Sequence, residues 1–313
     1  MRVLVALGGN AMTAADGSAA PEHQIAAITA AAGEIARLVA AGHEVVLTHG
    51  NGPQVGNLLV KNELAAAVVP PVPLDWCGAQ TQGTIGFILL NALEAALATV
   101  GSEVRPVALV SRTLVDVDDP GFADPGKPIG RHLPADDAAV LMEHGEVWQD
   151  RGDKGWRRVV ASPRPLEVLE APAICALLDA GLMVIAGGGG GVPVVREPDG
   201  SLRGVEAVID KDLSAVVLAQ AVGADALVIA TDVENAVVGF GTPQAEPLGR
   251  TTPSQLSTYA ARGEFASGSM GPKVQAVSDF VTGGGAVAVI TRLDRIDEAL
   301  AGDVGTVVTP DVN

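Results

Sequence analysis

The chain has 313 residues, 48% hydrophobic, 3% aromatic and 18% charged, with a formal net charge of −17. A chain of this length fits one large α/β domain or two fused halves and needs no metal or disulfide staple. The acidity excludes a nucleic-acid partner, whose counterion-release term requires a basic face, and disfavours an anionic membrane surface for the same reason. Cys77 and Cys175 lie far apart without a CxxC, which excludes a disulfide framework and points to a reducing, cytoplasmic compartment.

In chain order, Arg2–Leu7 reads as a first strand running into the turn Gly8-Gly9-Asn10-Ala11. A helix is expected from about Glu22 to Ala41, stopped at Gly42, followed by a strand over Glu44–Thr48 and the loop His49-Gly50-Asn51-Gly52-Pro53. Helices follow near Gln54–Ala66 and Asp75–Val100, then a strand over Arg105–Val110. This rhythm predicts a mainly parallel sheet with helices on both faces. Thr84–Val100 is the longest apolar stretch, but it carries Asn91 and Glu94 and reads as a buried helix, not a membrane span.

Residues 116–162 break the rhythm with Pro120, Pro125, Pro128 and Pro134, the acidic run Asp116–Asp119 and two tryptophans. They read as a small protruding lid. The alternation resumes with a helix near Ala171–Ala180, the strand Leu182–Ala186 and a five-glycine turn, Gly187–Gly191. A helix over Asp212–Val222 then precedes the strand Ala224–Ala230 and the turn Thr231-Asp232. Late helices near Pro253–Arg262 and Pro272–Val281 lead to a strand over Ala286–Thr291.

Three strand-to-turn junctions carry glycine clusters: Gly8-Gly9, Gly50-Asn51-Gly52 and Gly187–Gly191. Each could be an ordinary turn, but parallel strands end on one edge, where such loops present backbone N–H groups and helix N-termini to an anion. Two familiar phosphate fingerprints fail. The last glycine of Gly50–Gly56 is one residue too far for the dinucleotide motif. Gly121–Lys127 matches the start of a Walker A loop, but Pro128 stands where its Ser/Thr belongs.

Five lysines stand against fifteen arginines, so arginine decorates most of the surface. Lys61 and Lys154 read as solvated. Lys127, Lys211 and Lys273 sit in Gly126-Lys127-Pro128, Asp210-Lys211-Asp212 and Gly271-Pro272-Lys273, settings that suggest compact ammonium charges placed for phosphate work. Asp210 and Asp212 fit a helix N-cap with a first-turn acid, and equally carboxylates that orient the lysines. The five histidines show no metal-ligand spacing, so no residue is assigned to a metal. Neither cysteine has a visible base partner, which argues against a thiol nucleophile.

Several blocks resemble the carbamate kinase family of amino acid kinases. They are Ala6–Ala11, Thr48–Asn57, Gln80–Gly83, Lys127–Gly130, Gly155–Val160, Gly187–Pro193, Gly204–Asp212 and Gly268–Lys273, in the family's order over nearly the whole chain. The resemblance implies the amino-acid-kinase fold, an open three-layer αβα sandwich, as a homodimer. It implies the reaction ATP + carbamate ⇌ ADP + carbamoyl phosphate, with Mg²⁺ held mainly through the nucleotide phosphates, run towards ATP synthesis in arginine and carbamoyl-phosphate catabolism. Residues 1–210 would bind carbamoyl phosphate, and 211–313 the nucleotide.

Carried over residue by residue, Gly8, Gly9, Asn10, Gly50, Asn51 and Gly52 would cradle the carbamoyl phosphate. Lys127 would reach in from the lid, while Lys211 and Lys273 would span the transferring group and Asp212 and Asp210 would organise the lysines. Gly188, Gly189, Thr231, Asp232, Val233, Tyr259, Ser269 and Met270, with Lys273, would hold the nucleotide. Carbamate is already anionic, so the chemistry asks for positioning and charge neutralisation with no general base. Rival readings are a related kinase of another small carboxylate or phosphate, a non-catalytic sensor of the same fold, and a dehydrogenase. The relatives in the first group usually carry a lysine in the first turn, where this chain has Leu7-Gly8-Gly9-Asn10. The three intact lysines speak against a sensor, and the failed dinucleotide motif speaks against a dehydrogenase.

Overall fold

A computed structural model of the chain describes residues 1–9, 12, 20–265 and 270–311. Asn10 and Ser269 therefore lie outside the described residues. The first half alternates as expected: β1 (Arg2–Leu7), α1 (Pro21–Ala40), β2 (Glu44–His49), α2 (Gly52–Ala65), α3 (Leu74–Thr99) and β3 (Pro106–Ala108). Gly42, with φ +87°, ends the turn after α1 where a side chain would be strained. Then come β4 (Arg112–Val115), the short α4 (Pro120–Ala123), β5 (Lys127–Leu133), α5 (Ala135–Glu143), β6 (Val147–Asp150), β7 (Trp156–Val160) and β8 (Pro165–Val168).

The second half runs α6 (Ala171–Asp179), β9 (Met183–Ile185), β10 (Val192–Arg196), β11 (Leu202–Gly204), α7 (Lys211–Ala221) and β12 (Ala226–Thr231). After the short β13 (Val237–Val238), β14 (Glu246–Pro247) and β15 (Arg250–Thr251) come α8 (Pro253–Ala261), α9 (Met270–Thr282), β16 (Val287–Arg292), α10 (Ile296–Ala301) and β17 (Thr306–Val308).

The central sheet has eight strands in the order β15-β17-β16-β12-β1-β2-β9-β3. It is parallel apart from the β16–β17 pair. Its inner strands are buried on both faces, which is why they read as continuous aliphatic runs. Leu4, Ala6, Leu227 and Ile229 pack on one face with Ile174 of α6, Leu218 of α7 and Phe280 of α9. The alternate residues Val3, Val5, Leu7 and Val228 pack on the other with Ile28 of α1 and Leu89 of α3. The period of two along each strand thus divides the core into two layers, giving the expected αβα sandwich. Among the described residues no helix is long and apolar enough to cross a membrane.

The irregular segment is more ordered than its sequence suggests. Strands β5, β7 and β6 form an antiparallel sheet of their own. Leu133, Ala138 and Trp148, with Trp156 beside them, form its separate small core. Two of the chain's three tryptophans are spent here, because a subdomain this small needs large side chains to enclose any core. On the side towards the main body, Ile129 and Val160 meet Val55 and Leu59 of α2. A further four-stranded sheet, β11-β10-β4-β8, joins this region to the main sheet and was not foreseen.

Candidate active site

The carboxyl ends of β1, β2 and β12 bring their loops to one edge because the three strands are parallel neighbours. The β1 and β2 loops pack closely: a Cβ on Gly50 would lie 2.8 Å from the Gly9 nitrogen and 3.2 Å from Cδ of Lys211. Only hydrogen fits there, so backbone N–H groups and the lysine stem share one small space. A cavity of about 270 Å³ results, and Gly9, Gly50, Asn51, Gly52, Gly189, Lys127, Asp210, Lys211, Asp212 and Lys273 all border it. Ten of the residues singled out from sequence, spread from position 9 to 273, therefore converge.

The charges in this cavity are arranged in pairs. Asp212 is buried and accepts from both Lys211 Nζ through Oδ1 and Lys273 Nζ through Oδ2, the latter at 2.9 Å. Asp210 has two roles at once. Its Oδ1 caps α7 by accepting from the N–H groups of Asp212 at 3.0 Å and Leu213 at 3.4 Å. Its Oδ2 accepts from Lys127 Nζ at 2.9 Å, joining the protruding subdomain to the body. Both readings of the Asp210/Asp212 pair thus hold together. Burial pushes the Asp212 carboxyl up, but the Lys211 and Lys273 ammoniums outweigh it and hold its pKa below the usual range. Burial lowers the pKa of Lys211, with Asp212 opposing and Lys273 adding to the lowering. The cluster amounts to three ammonium and two carboxylate groups, one net positive charge on an otherwise acidic chain.

The five-glycine turn is held from several sides. Ser111 Oγ accepts from the Gly187 N–H at 2.7 Å, and Thr48 Oγ1 donates to the Gly187 carbonyl at 2.9 Å. Gln82 bridges Ser111 from α3 through both its N–H and C=O partners. Asn51 is oriented by its donation to Thr81 Oγ1 at 2.9 Å. Sequence inspection placed Gln82 and Thr81 within a motif block but gave them no role, since helix residues thirty positions away reveal nothing of a shared hydrogen bond.

Gly188 lies inside the five-glycine turn. It is buried against the His49 ring and Gln82. Gly189 instead borders the lysine cavity beside Asn51. Gly8 lies at the strand end, its N–H donating to the Ala230 carbonyl at 2.9 Å. Thr231 and Asp232 open on a separate cavity with Glu34, Arg292 and Asp294, and Val233 is exposed. Tyr259 lies on α8, and Met270 begins α9 against the core. Between the subdomain and the second half lies a larger cavity of about 920 Å³, bordered by Lys127, Asp210, Arg151, Phe265 and Gln275. Sequence reading missed Arg151 and Phe265, neither of which stands in a conspicuous motif.

His49 is buried with Nδ1 2.9 Å from the Gly50 carbonyl. Burial lowers its pKa from 6.5 to about 4 against the opposing effect of that hydrogen bond, and Lys211 adds to the lowering. Between those two values the unfolded chain binds a proton that the folded one refuses. Stability therefore falls on acidification through this window, by on the order of 3 kcal/mol. Thermal unfolding between pH 7 and 4.5 should show the loss, and His49→Asn should show a shallower slope. Identical slopes would remove His49 as the cause.

Among the described residues no group of three or more His, Cys, Asp or Glu side chains could hold a metal ion. Asp210 and Asp212, the two carboxylates in this cavity, are both paired with lysines.

The sequence model of the amino acid kinase family matches residues 1–292. The carbamate kinase of Pyrococcus furiosus is 43% identical over 312 residues, covering 99% of each chain. A carbamate kinase-like protein of Escherichia coli is 43% identical over 309 residues, covering 97% of each. The carbamate kinase of Giardia lamblia bound to AMP-PNP superposes with a TM-score of 0.94 at 40% identity, covering 99% of this chain and 98% of its own.

Proposed function

The chain belongs to the amino acid kinase family and is an ATP-dependent kinase, and from that premise we propose that its acceptor is carbamate, in the reaction ATP + carbamate ⇌ ADP + carbamoyl phosphate. The observation that carries this reading is the Lys211–Asp212–Lys273 cluster beside the Lys127–Asp210 pair, in a cavity that fits a very small anion.

A carbamate oxygen would attack the γ-phosphorus while the bond to the bridging oxygen breaks. Lys211 and Lys273 neutralise charge on the transferring group, and Lys127 does so from the subdomain. The Gly9 and Gly50–Gly52 loops orient the acceptor. No side chain need take a proton, because the acceptor arrives ionised, and the low pKa of His49 keeps that ring neutral. Mg²⁺ carried on the nucleotide phosphates would supply further charge neutralisation. Thr231, Asp232 and the face of the larger cavity bordered by Phe265 and Gln275 are the proposed nucleotide side, with residues 1–210 serving the acceptor and about 116–162 within them acting as the lid. Carbamoyl phosphate is a mixed anhydride, so the favoured direction is ATP synthesis, in the cytoplasm and in carbamoyl-phosphate catabolism.

The test is ATP formation from ADP, Mg²⁺ and carbamoyl phosphate, with acetyl phosphate and acetylglutamyl phosphate as comparison donors. Activity with carbamoyl phosphate alone is expected, and preference for another acyl phosphate would overturn the substrate. A homodimer is also proposed. Leu64, Val68, Val69, Trp76 and Phe87 are large, apolar and exposed along α2, α3 and their connection, which supports this reading. Light scattering should give a dimer mass for the native chain and a monomer mass for Trp76→Glu/Phe87→Lys; a monomeric native chain would refute it.

A further inference from the structure

Beside the lysine cavity lies a neighbour of about 500 Å³, between α2 and the underside of the protruding subdomain. Asn51, Gly52, Lys127 and Gly189 border both spaces, so the two are adjacent. That volume lies within the range of about 300–1,000 Å³ that holds whole metabolites, far more than carbamate occupies. Its wall contains three cations, Lys127, Arg131 and Arg157, and no carboxylate.

Two of those cations are already matched. Lys127 pairs with Asp210 and Arg131 with Glu63. Arg157 is not: among the described residues its side chain makes no ion pair, and its Nε is buried without a hydrogen-bond partner. Burial, then the nearby Arg151 cation, pushes its pKa down, as expected of a guanidinium lacking a counter-charge. A buried donor of this kind is costly unless something accepts from it. On a chain of net charge −17, an unmatched cation facing a cavity is the reverse of what composition would place there.

Strand register sets the spacing. Lys127 pairs with Val160 across β5 and β7, and Arg157 lies three residues along β7, a rise on the order of 10 Å. Both residues border the cavity, so the two cations suit opposite ends of a short chain molecule.

We propose that this cavity is a second anion subsite of the acceptor pocket, anchored by Arg157, and that it admits a small linear dicarboxylate with one carboxylate at the lysines and the other on Arg157. The inference rests on the acceptor reading given above. Such a dianion could arrive in either of two capacities. As an acceptor, its carboxylate oxygen would bond to the γ-phosphorus of ATP as the bond to the bridging oxygen breaks, giving an acyl phosphate and ADP. As a non-reacting occupant, it would exclude carbamoyl phosphate.

Succinate, against acetate as the single-carboxylate control, is the probe, titrated into the full chain by calorimetry. Native protein should bind succinate about tenfold more tightly than acetate, the worth of one charge-assisted hydrogen bond. Arg157→Gln should abolish the preference and Arg157→Lys should restore part of it. Val60→Phe, which fills the same cavity from α2, should weaken succinate more than acetate and covers the case in which an Arg157 variant fails to fold. ADP release from ATP with succinate would assign it as acceptor; competitive inhibition of ATP formation without ADP release would assign it as occupant. Absence of any preference, or a preference surviving both Arg157→Gln and Val60→Phe, overturns the subsite. Carbamoyl phosphate turnover measured on the same preparation separates that failure from failure of the carbamate reading.

Discussion

Asp212→Asn is expected to lower turnover by about 10² or more and to cost about 3–5 kcal/mol of stability. The side chain is 4% exposed and holds Lys211 and Lys273, whose own side chains are 16% and 12% exposed. Asparagine keeps the shape but removes the charge, leaving two nearly buried ammoniums close together with only the more distant Asp210 to offset them. Lys211→Ala provides the contrast. It leaves Asp212 paired with Lys273, so turnover should again fall by about 10² while the fold survives. Urea unfolding beside steady-state turnover separates the two variants. Normal turnover in Lys211→Ala would take that lysine out of the mechanism, and unaltered stability in Asp212→Asn would refute the account of the buried cluster.

The second large effect is expected at the five-glycine turn. Gly190 has φ +93°, and a Cβ there would lie 2.6 Å from the Ile209 carbonyl oxygen, a backbone atom that cannot swing aside. Its own carbonyl accepts from Thr113 Oγ1 at 2.8 Å and Ser214 Oγ at 2.9 Å, tying the turn to β4 and α7. Gly190→Ala should therefore cost roughly 2–5 kcal/mol, combining backbone strain with overpacking. Turnover should fall with it, because Ile209 immediately precedes Asp210 and Lys211. Gly33→Ala on α1 is the control: its Cβ would meet nothing within 4 Å, and a gain of about 0.5–1 kcal/mol is expected from helix propensity. Thermal melts of the two variants decide the matter, and equal melting temperatures would contradict the argument.

Much of this was legible along the chain. Aliphatic runs bounded by glycine located the sheet strands Arg2–Leu7, Glu44–His49 and Ala226–Thr231 to within a residue or two, because a strand buried on both faces must be apolar throughout. Scarcity of lysine marked Lys127, Lys211 and Lys273, and Asp-Lys-Asp before an apolar helical run marked the α7 cap. Short-range rules sufficed for each, since turn chemistry, capping and burial act over a few residues.

The four-stranded sheet β11-β10-β4-β8 was not legible, for its strands are only three to five residues long and come from residues 112 to 204. Nor was the small core inside the protruding lid, where Leu133, Ala138 and Trp148 pack together with Trp156 beside them. The bonding of Asp212 to two lysines, 1 and 61 positions away, was settled by folding alone. So were the burial of Gly188, the neutral state of His49 and the unmatched charge on Arg157. Sequence determined which groups this protein owns and the periodicity that makes its layers. Only the tertiary structure decided which of those groups lose water and which counter-charges they meet, because desolvation and pairing depend on distance through space and not along the chain.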